Sequence, residues 1–310
     1  MIPLITALQD IPAHLKGAVV AVGNFDGVHR GHASLVSHLV RMANERSRPP
    51  LVITFDPPPS AILRPELPVL PPLTTLPRRA ELLGKLGVKG LLAMPTSSDL
   101  LELSAVQFYD RILRGHLEVQ GIVEGPNFRF GKDRQGDVVL LDELCRRDGL
   151  GFHVAESVDD ALGMISSSRI RGLIAAGDIA SANWMLTEPF QISGVVTRGA
   201  GRGTGLGFPT ANIEPIETLT PAHGVYAGRV VIDGKTFPAA VNIGPNPTFG
   251  EQRNKVEIHI VGLKQDLYDR PLACDLLARV RDVICFSSKD ELLHQINRDI
   301  QTTVSVAGVG

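Results

Sequence analysis

The residues best placed to do chemistry fall in one stretch, Gly23-Asn24-Phe25-Asp26-Gly27-Val28-His29-Arg30-Gly31-His32. Two histidines three apart bracket a glycine, just after the apolar run 18–22 and just before a pattern of helical spacing. A strand-to-helix handover of this kind offers unpaired backbone N–H groups, the positive end of a helix dipole and glycines that let a ligand come close. With no nucleophile or metal-ligand set nearby, the pattern points to imidazoles and cations stabilising a nucleotide's phosphates during transfer. His29 and His32 are the candidate catalytic groups, with Gly23, Phe25, Asp26 and Gly31 lining the nucleotide. The alternative is a pair of surface or capping histidines, with Phe25 in a core and Asp26 as a cap. Zinc fits poorly, because no third Cys or His has suitable spacing.

A second signal is Ile165-Ser166-Ser167-Ser168-Arg169-Ile170-Arg171, three hydroxyls before two arginines at the start of a helical pattern. Alone it reads as a serine N-cap with solvated arginines. Beside the histidine motif it reads as a phosphate clamp of hydroxyl and guanidinium donors. A third signal is the glycine at every second position from Gly199 through Gly201, Gly203, Gly205 and Gly207, running into Phe208-Pro209-Thr210-Ala211-Asn212. The spacing is not that of a dinucleotide fingerprint. Nor is Gly234-Lys235-Thr236 a P-loop, since Arg229 stands where a glycine is needed. A floppy loop is the other reading of this run.

These motifs need a frame. Apolar runs at Val19–Val22, 51–55, 91–94, 119–123 and 152–155 alternate with helical spacings (Leu35, Leu39, Met42; Ala80, Leu83, Leu86; Val106, Ile112, Leu113; Leu140, Leu141, Leu144), which predicts a doubly wound parallel sheet. Ligands then bind at the carboxyl ends of its strands. The proline-rich stretch 56–72 is predicted to be neither helix nor central strand, but a surface loop or a substrate lid. From Gln191 strands follow strands, at 192–197, 225–232, 237–243, 256–261 and 272–280, with a hairpin turn at Asp233-Gly234; five or six of them predict a small antiparallel barrel. Residues 289–300 form an amphipathic closing helix.

Composition narrows the class. The chain has 310 residues, 44% hydrophobic and 21% charged, with net charge −2. That gives two globular domains and no global attraction to nucleic acid or anionic membranes. Cys145, Cys274 and Cys285 are far apart and odd in number, which suits a reduced cytoplasmic protein. The N-terminus lacks the features of a signal peptide, and no apolar run could cross a bilayer.

The GxFDGxHxGH motif followed by an Ile-Ser-Ser-Ser-Arg segment resembles the adenylyltransferase module of prokaryotic FAD synthetases, in the HxGH nucleotidyltransferase superfamily. Gly125-Pro126-Asn127-Phe128-Arg129-Phe130-Gly131 is similar to that family's flavin-side loop; otherwise it is a glycine-bounded turn with an aromatic plug. The glycine run with its Pro-Thr-Ala-Asn tetrapeptide resembles the nucleotide flap of riboflavin kinases, as do Gly224-Val225-Tyr226-Ala227-Gly228, Asn246-Pro247-Thr248-Phe249 and Val256-Glu257-Ile258-His259. The resemblance covers nearly the whole chain. It implies a Rossmann-like FMN adenylyltransferase domain over 1–187 and a barrel riboflavin kinase domain with a C-terminal helix over 188–310. It also implies ATP, riboflavin and FMN as substrates, Mg²⁺ on Thr210 and Asn212, and Glu257 as general base. Nucleotide contacts from Ser166, Ser167, Ser168, Gly201, Gly203, Gly205, Gly207 and Asn212 follow, with flavin contacts from Asn127, Arg129 and Phe130, and Arg169 beside His29 and His32 in catalysis. Three positions depart from the family pattern: Pro58 replaces a histidine, Ser168 a threonine and Asn127 an aspartate. A monofunctional riboflavin kinase whose first module only binds, and a flavin carrier or regulator without turnover, are the alternatives. Small molecules are the expected partners, with no nucleic acid or membrane, and a monomer or weak homo-oligomer the expected state.

Overall fold

The computed structural model describes residues 1–199, 202–245 and 255–308. Two compact units emerge: Met1–Leu70 with Thr74–Ser166, and Pro71–Leu73 with the chain from Ser167 onward.

The first unit is built on a parallel sheet of β1 (Leu4–Ile5), β2 (Val19–Val22), β3 (Pro50–Asp56), β4 (Gly90–Pro95), β5 (Gly121–Glu124) and β6 (Gly151–Val154), in the spatial order β1-β4-β3-β2-β5-β6. Successive residues of one strand feed opposite cores. Val20, Val22, Leu51 and Ile53 pack on one face with Phe108, Tyr109 and Leu141, while Val19, Ala21 and Val52 pack on the other with Val36, Leu39 and Leu83. Burial on both sides is why these strands read as unbroken apolar runs. The predicted strand 119–123 sits two residues later, because Val119 ends a turn and only Gly121 begins to pair. Crossover helices are α1 (Arg30–Glu45), α2 (Pro59–Leu63), α3 (Leu76–Lys85), α4 (Ser98–Leu101), α5 (Ala105–Gln107) and α6 (Val138–Arg147). A small β7 (Asp159–Asp160) and β8 (Gly163–Met164) pair follows. The proline-rich stretch does contain a helix, contrary to expectation: Pro58 caps α2 and Pro59 opens it, positions where a missing N–H costs nothing. The loose spacing of Val106, Ile112 and Leu113 has its own cause, since α5 continues as a π-helix over Phe108–His116, whose i→i+5 turns bury Phe108, Tyr109, Ile112 and Leu113.

The second unit begins with α7 (Ser167–Ala176) and α8 (Ile179–Met185) and closes β9 (Gln191–Thr197), β10 (Ala211–Glu214), β11 (Gly224–Ile232), β12 (Lys235–Gly244), β13 (Lys255–Ile260) and β14 (Pro271–Arg281) into a barrel, order β10-β13-β12-β11-β14-β9. The sixth strand, β10, lies in the Pro-Thr-Ala-Asn segment. The hairpin turn is as expected, with Asp233 and Gly234 both at positive φ (50° and 78°) as a type I′ turn requires. The glycine run is not extended: α9 (Arg202–Leu206) is a helical turn within it. The closing helix α10 (Lys289–Ala307) runs past residue 300, anchored where Arg281 grips buried Asp299 at 2.7–3.1 Å.

The division between units falls at Ser166/Ser167. Asn183 of α8 donates to the carbonyl of Leu276 in β14 at 2.8 Å and accepts from Phe190 N–H at 2.8 Å, which ties α8 to the barrel. The short strap Pro71–Leu73 belongs there too. Leu219 N–H donates to Pro72 at 2.9 Å, and the Arg171 guanidinium donates to Pro71.

Candidate active sites

In the first unit, β2 ends at Val22 and the chain turns through residues 23–28 into α1. Phe25 and Val28 adopt positive φ (47° and 42°), unusual for side chains of their size. Both are buried in the core under the sheet, so packing holds the strained turn in place. Asp26 clamps it from the other side: its Oδ1 accepts from Thr74 N–H at 3.0 Å, from the Thr74 hydroxyl at 3.2 Å and from the Arg79 guanidinium at 3.0 Å. Arg79 also donates to the carbonyl of Asn24 at 2.8 Å, and Thr74 Oγ1 accepts from Gly27 N–H at 3.1 Å. Asp26 and Arg79 are both over nine-tenths buried. Phe25 and Asp26 thus hold the loop from within.

The two histidines are the N-cap and N3 residues of α1, and each caps the other. His29 Nδ1 accepts from His32 N–H and His32 Nδ1 from His29 N–H, both at 3.3 Å. The rings stack with centroids 3.6 Å apart. This is a capping box made of imidazoles. With both Nδ1 atoms accepting, the proton of each neutral ring sits on Nε2, which remains a donor. Burial pushes the His29 pKa down to about 4 against an upward pull from Asp26, and pushes His32 well down, helped by His29 and Arg79. Gly31 leaves room between them, because a Cβ there would stand 3.1 Å from the His29 ring, a tight contact, and 3.6 Å from the carbonyl of Ile165. The start of the Ser-Ser-Ser-Arg segment is therefore beside the turn. Ser166 ends the first unit, whereas Ser167, Ser168 and Arg169 form the first turn of α7 in the second.

The loop after β5 divides by role. Phe130 is buried between Phe108 and Phe128, and its backbone pairs with Gly136, so it is the aromatic plug. Asn127 and Arg129 are exposed; Asn127 lies 3.9 Å from Met164 Sδ, and Arg129 donates to Asp137, the N-cap of α6, at 3.0 Å. Pro58, at the head of α2, supplies no side-chain donor.

In the barrel, strand register does the positioning. Asn212 of β10 stands opposite Glu257 of β13 and opposite Thr197 of β9, and Glu257 stands opposite Asn242 of β12. Directly opposed residues share a face. Val256, Ile258 and Ile260 are buried while Glu257 and His259 alternate with them, so this polar row lies on the face away from the barrel core. The preceding segment folds back over it: His259 Nδ1 is 2.8 Å from the carbonyl of Pro209, and its ring meets Phe208 edge-on. Phe208 N–H donates to Gly203 at 2.8 Å, and a Cβ on Gly203 would reach within 3.3 Å of Thr210 Oγ1. Gly205 and Gly207 follow in the same segment; Gly201 and the stretch 246–249 lie outside the described residues. The Thr210 hydroxyl and the Asn212 amide are hard oxygen donors of the kind Mg²⁺ takes in part from protein and in part from phosphates and water. No cluster of three or more His, Cys, Asp or Glu suited to a metal occurs among the described residues, so a protein-only cage is not what this set provides.

The family model of FAD synthetase matches residues 11–169 and that of riboflavin kinase residues 186–307. The bifunctional riboflavin kinase/FMN adenylyltransferase of Pseudomonas fluorescens is 36% identical over 306 residues, 98% of this chain and 97% of that protein. The chain belongs to the bifunctional riboflavin kinase/FMN adenylyltransferase family. The Escherichia coli K12 member of this family is 34% identical over 295 residues, 95% of this chain and 94% of that protein. A crystal structure described as a macrolide-efflux protein from Streptococcus pneumoniae superposes with a TM-score of 0.85 at 30% identity, covering 97% of both chains. No helix among the described residues is long and apolar enough to cross a membrane. Within this bifunctional family, the doubly wound unit and the barrel correspond in order to the two matched domains.

Three residues of the first unit were not singled out in the sequence. Arg79 and Thr74 lock Asp26, and Glu124, 2% exposed at the end of β5, accepts from Val22 N–H at 2.6 Å. Arg79 had a visible signal, a cation on the apolar stripe of α3 beside Ala80, Leu82 and Leu83. So did Glu124, a lone acid closing an apolar strand run. Burial pushes its carboxyl well above the usual range, against the Val22 N–H.

Proposed function

We propose that the chain makes FAD in two steps: it phosphorylates riboflavin with ATP to FMN, then transfers AMP from ATP to FMN with release of pyrophosphate. The observation that carries this reading is that one chain matches an FAD synthetase domain and, after it in sequence, a riboflavin kinase domain.

In the barrel, Glu257 takes the proton of the ribityl 5′-hydroxyl as that oxygen attacks the γ-phosphorus of ATP and ADP departs. Asn212, held opposite Glu257, and Thr210 would hold Mg²⁺, which neutralises phosphate charge when bound. The segment 199–207 covers the phosphates, its glycines allowing close backbone approach. In the first unit an oxygen of the FMN phosphate attacks the α-phosphorus of the second ATP, so no protein nucleophile is needed. His29 and His32 donate their Nε2–H protons towards the charge that develops on the phosphates, at the positive end of α1. The locked turn keeps both donors oriented before substrate arrives. Gly23 and Gly31 leave room for the nucleotide, and Asn127 and Arg129 meet the flavin. Ser166, Ser167 and Ser168 donate to the polyphosphate, and Arg169 acts with His29 and His32 on the charge that develops there. The domain limits are 1–187 and 188–310 by function, and the setting is the cytoplasm.

Incubation of the purified protein with riboflavin, ATP and Mg²⁺, with flavins followed by chromatography, tests the reading. FMN followed by FAD is expected. FMN that accumulates without FAD would leave only the kinase, with Pro58 in place of a histidine as the first suspect.

A further inference from the structure

The chain order of the first sheet reverses between β2 and β5: the chain runs outward through β2, β3 and β4, then returns to start β5 on the other side of β2. Such a reversal opens a crevice at the carboxyl ends of the two central strands. Here the opening can be located. Pairing of β2 with β5 ends at Val20/Ile122, two residues before either strand ends. On the outer sides pairing continues, Val22 with Ile53 in β3 and Glu124 with Val154 in β6, with Ala155 N–H donating to Glu124 O at 2.8 Å. The sheet therefore parts between Val22 and Glu124, and the two loops that leave the parting are the histidine turn and the loop carrying Asn127 and Arg129.

A continued ladder would hand Val22 N–H to a β5 carbonyl. Instead it donates to Glu124 Oε1 at 2.6 Å, across 102 positions of sequence. Val22 is buried at 4% and Glu124 at 2% exposure, so an unmet N–H there would carry its full desolvation cost. We propose that Glu124 is a positioning residue for adenylyl transfer: its carboxyl bridges the parted strand ends and sets the angle at which residues 23–28 leave β2 and present His29 and His32. A side-chain bridge does what a backbone bond cannot, since it holds the ends apart and together at once. Among the described residues, burial and the opposing Val22 N–H are what act on the carboxyl, while Asp26, His29, His32 and Arg79 act on one another. Burial keeps it toward the neutral acid, so glutamine reproduces both its shape and its acceptor.

The inference rests on the adenylyl-transfer reading, and the full chain supplies its own control in the kinase. Glu124→Met keeps the apolar volume and removes the acceptor; Glu124→Gln keeps the acceptor. Expected for Glu124→Met is a loss in kcat for FAD formation from FMN of about 30-fold or more, with KM for ATP within about threefold and FMN formation from riboflavin unchanged. Glu124→Gln should restore FAD formation to within about threefold of wild type. Equal activity of Glu124→Met and wild type, or equal impairment of both variants, would overturn the proposal. If the wild-type chain makes no FAD, the function fails rather than the bridge, and the imidazole resonances of His29 and His32 decide. They should shift in Glu124→Met and coincide in Glu124→Gln and wild type; coincidence in all three would dismiss the bridge.

Discussion

The two sites are made rigid in opposite ways. In the first unit the two histidines are tied in the free chain: each caps the other, Asp26 and Arg79 pin the turn from beneath, and Phe25 and Val28 hold it in a conformation they would not choose alone. In the barrel, Asn212 and Glu257 are placed by strand register, while the Thr210 side is placed by a glycine-rich segment folded back on it. The difference suits the chemistry. Adenylyl transfer with a ready-made phosphate nucleophile asks for fixed donors. Phosphorylation of an alcohol asks for a base and for a cover that excludes water and then opens.

The comparison can be broken site by site. The largest effect should come from Glu257→Gln, which removes the base we propose and should lower kcat for FMN formation by about 10²- to 10⁴-fold. FAD formation from supplied FMN should hold, and a parallel fall in both would mean the sites are not independent. Next is Arg79→Ala, which takes the guanidinium away from buried Asp26. Breaking one side of such a pair costs roughly 3–5 kcal/mol, read as a lower denaturant midpoint for the first unit. A change below about 1 kcal/mol would mean that the turn does not depend on this clamp. Gly31→Ala should act on rate rather than stability: a Cβ pressed against the His29 ring should cost FAD formation on the order of 10- to 10²-fold, while riboflavin phosphorylation stays intact.

The smallest effect sharpens the comparison through pH. His29 is held at about 4, below its unfolded value near 6.5. Between these pH values the unfolded chain takes up a proton that the folded site refuses. The stability due to neutral His29 is therefore complete above pH 6.5 and is lost as pH falls through about 4. In ¹H–¹³C spectra of the free protein its imidazole should titrate near 4; a midpoint near 6.5 would show that the pair is open to solvent.

Much of this was legible in the sequence where side-chain type and backbone need coincide. The glycine-bracketed histidines, the alternating apolar runs and the Asp233-Gly234 hairpin each carry a local reason for their place. The π-helix was blurred because its spacing matches neither a strand nor an α-helix. Strand β10 has a weak strand signal because only four residues pair and two of them belong to the Pro-Thr-Ala-Asn tetrapeptide. The partners of Asp26 could not be read at all: Thr74 and Arg79 are some fifty residues away, and only the closed fold brings them under the turn. Glu124 and Val22, 102 positions apart, are the same case. The aromatic spacing of this loop does not tell which of its residues are covered: the Phe130 ring packs into the core while Asn127 and Arg129 stay exposed.

The strap Pro71–Leu73 has a consequence for how this protein can be divided. A gene fragment that starts at Ser167 would encode every strand of the barrel and still leave Leu219 N–H and the Arg171 guanidinium without the carbonyls they bind in the whole chain. A cut in the chain at Ser167 therefore does not divide one unit from the other completely. Any recombination or proteolytic event that separates them cleanly must leave a stitch of one behind in the other.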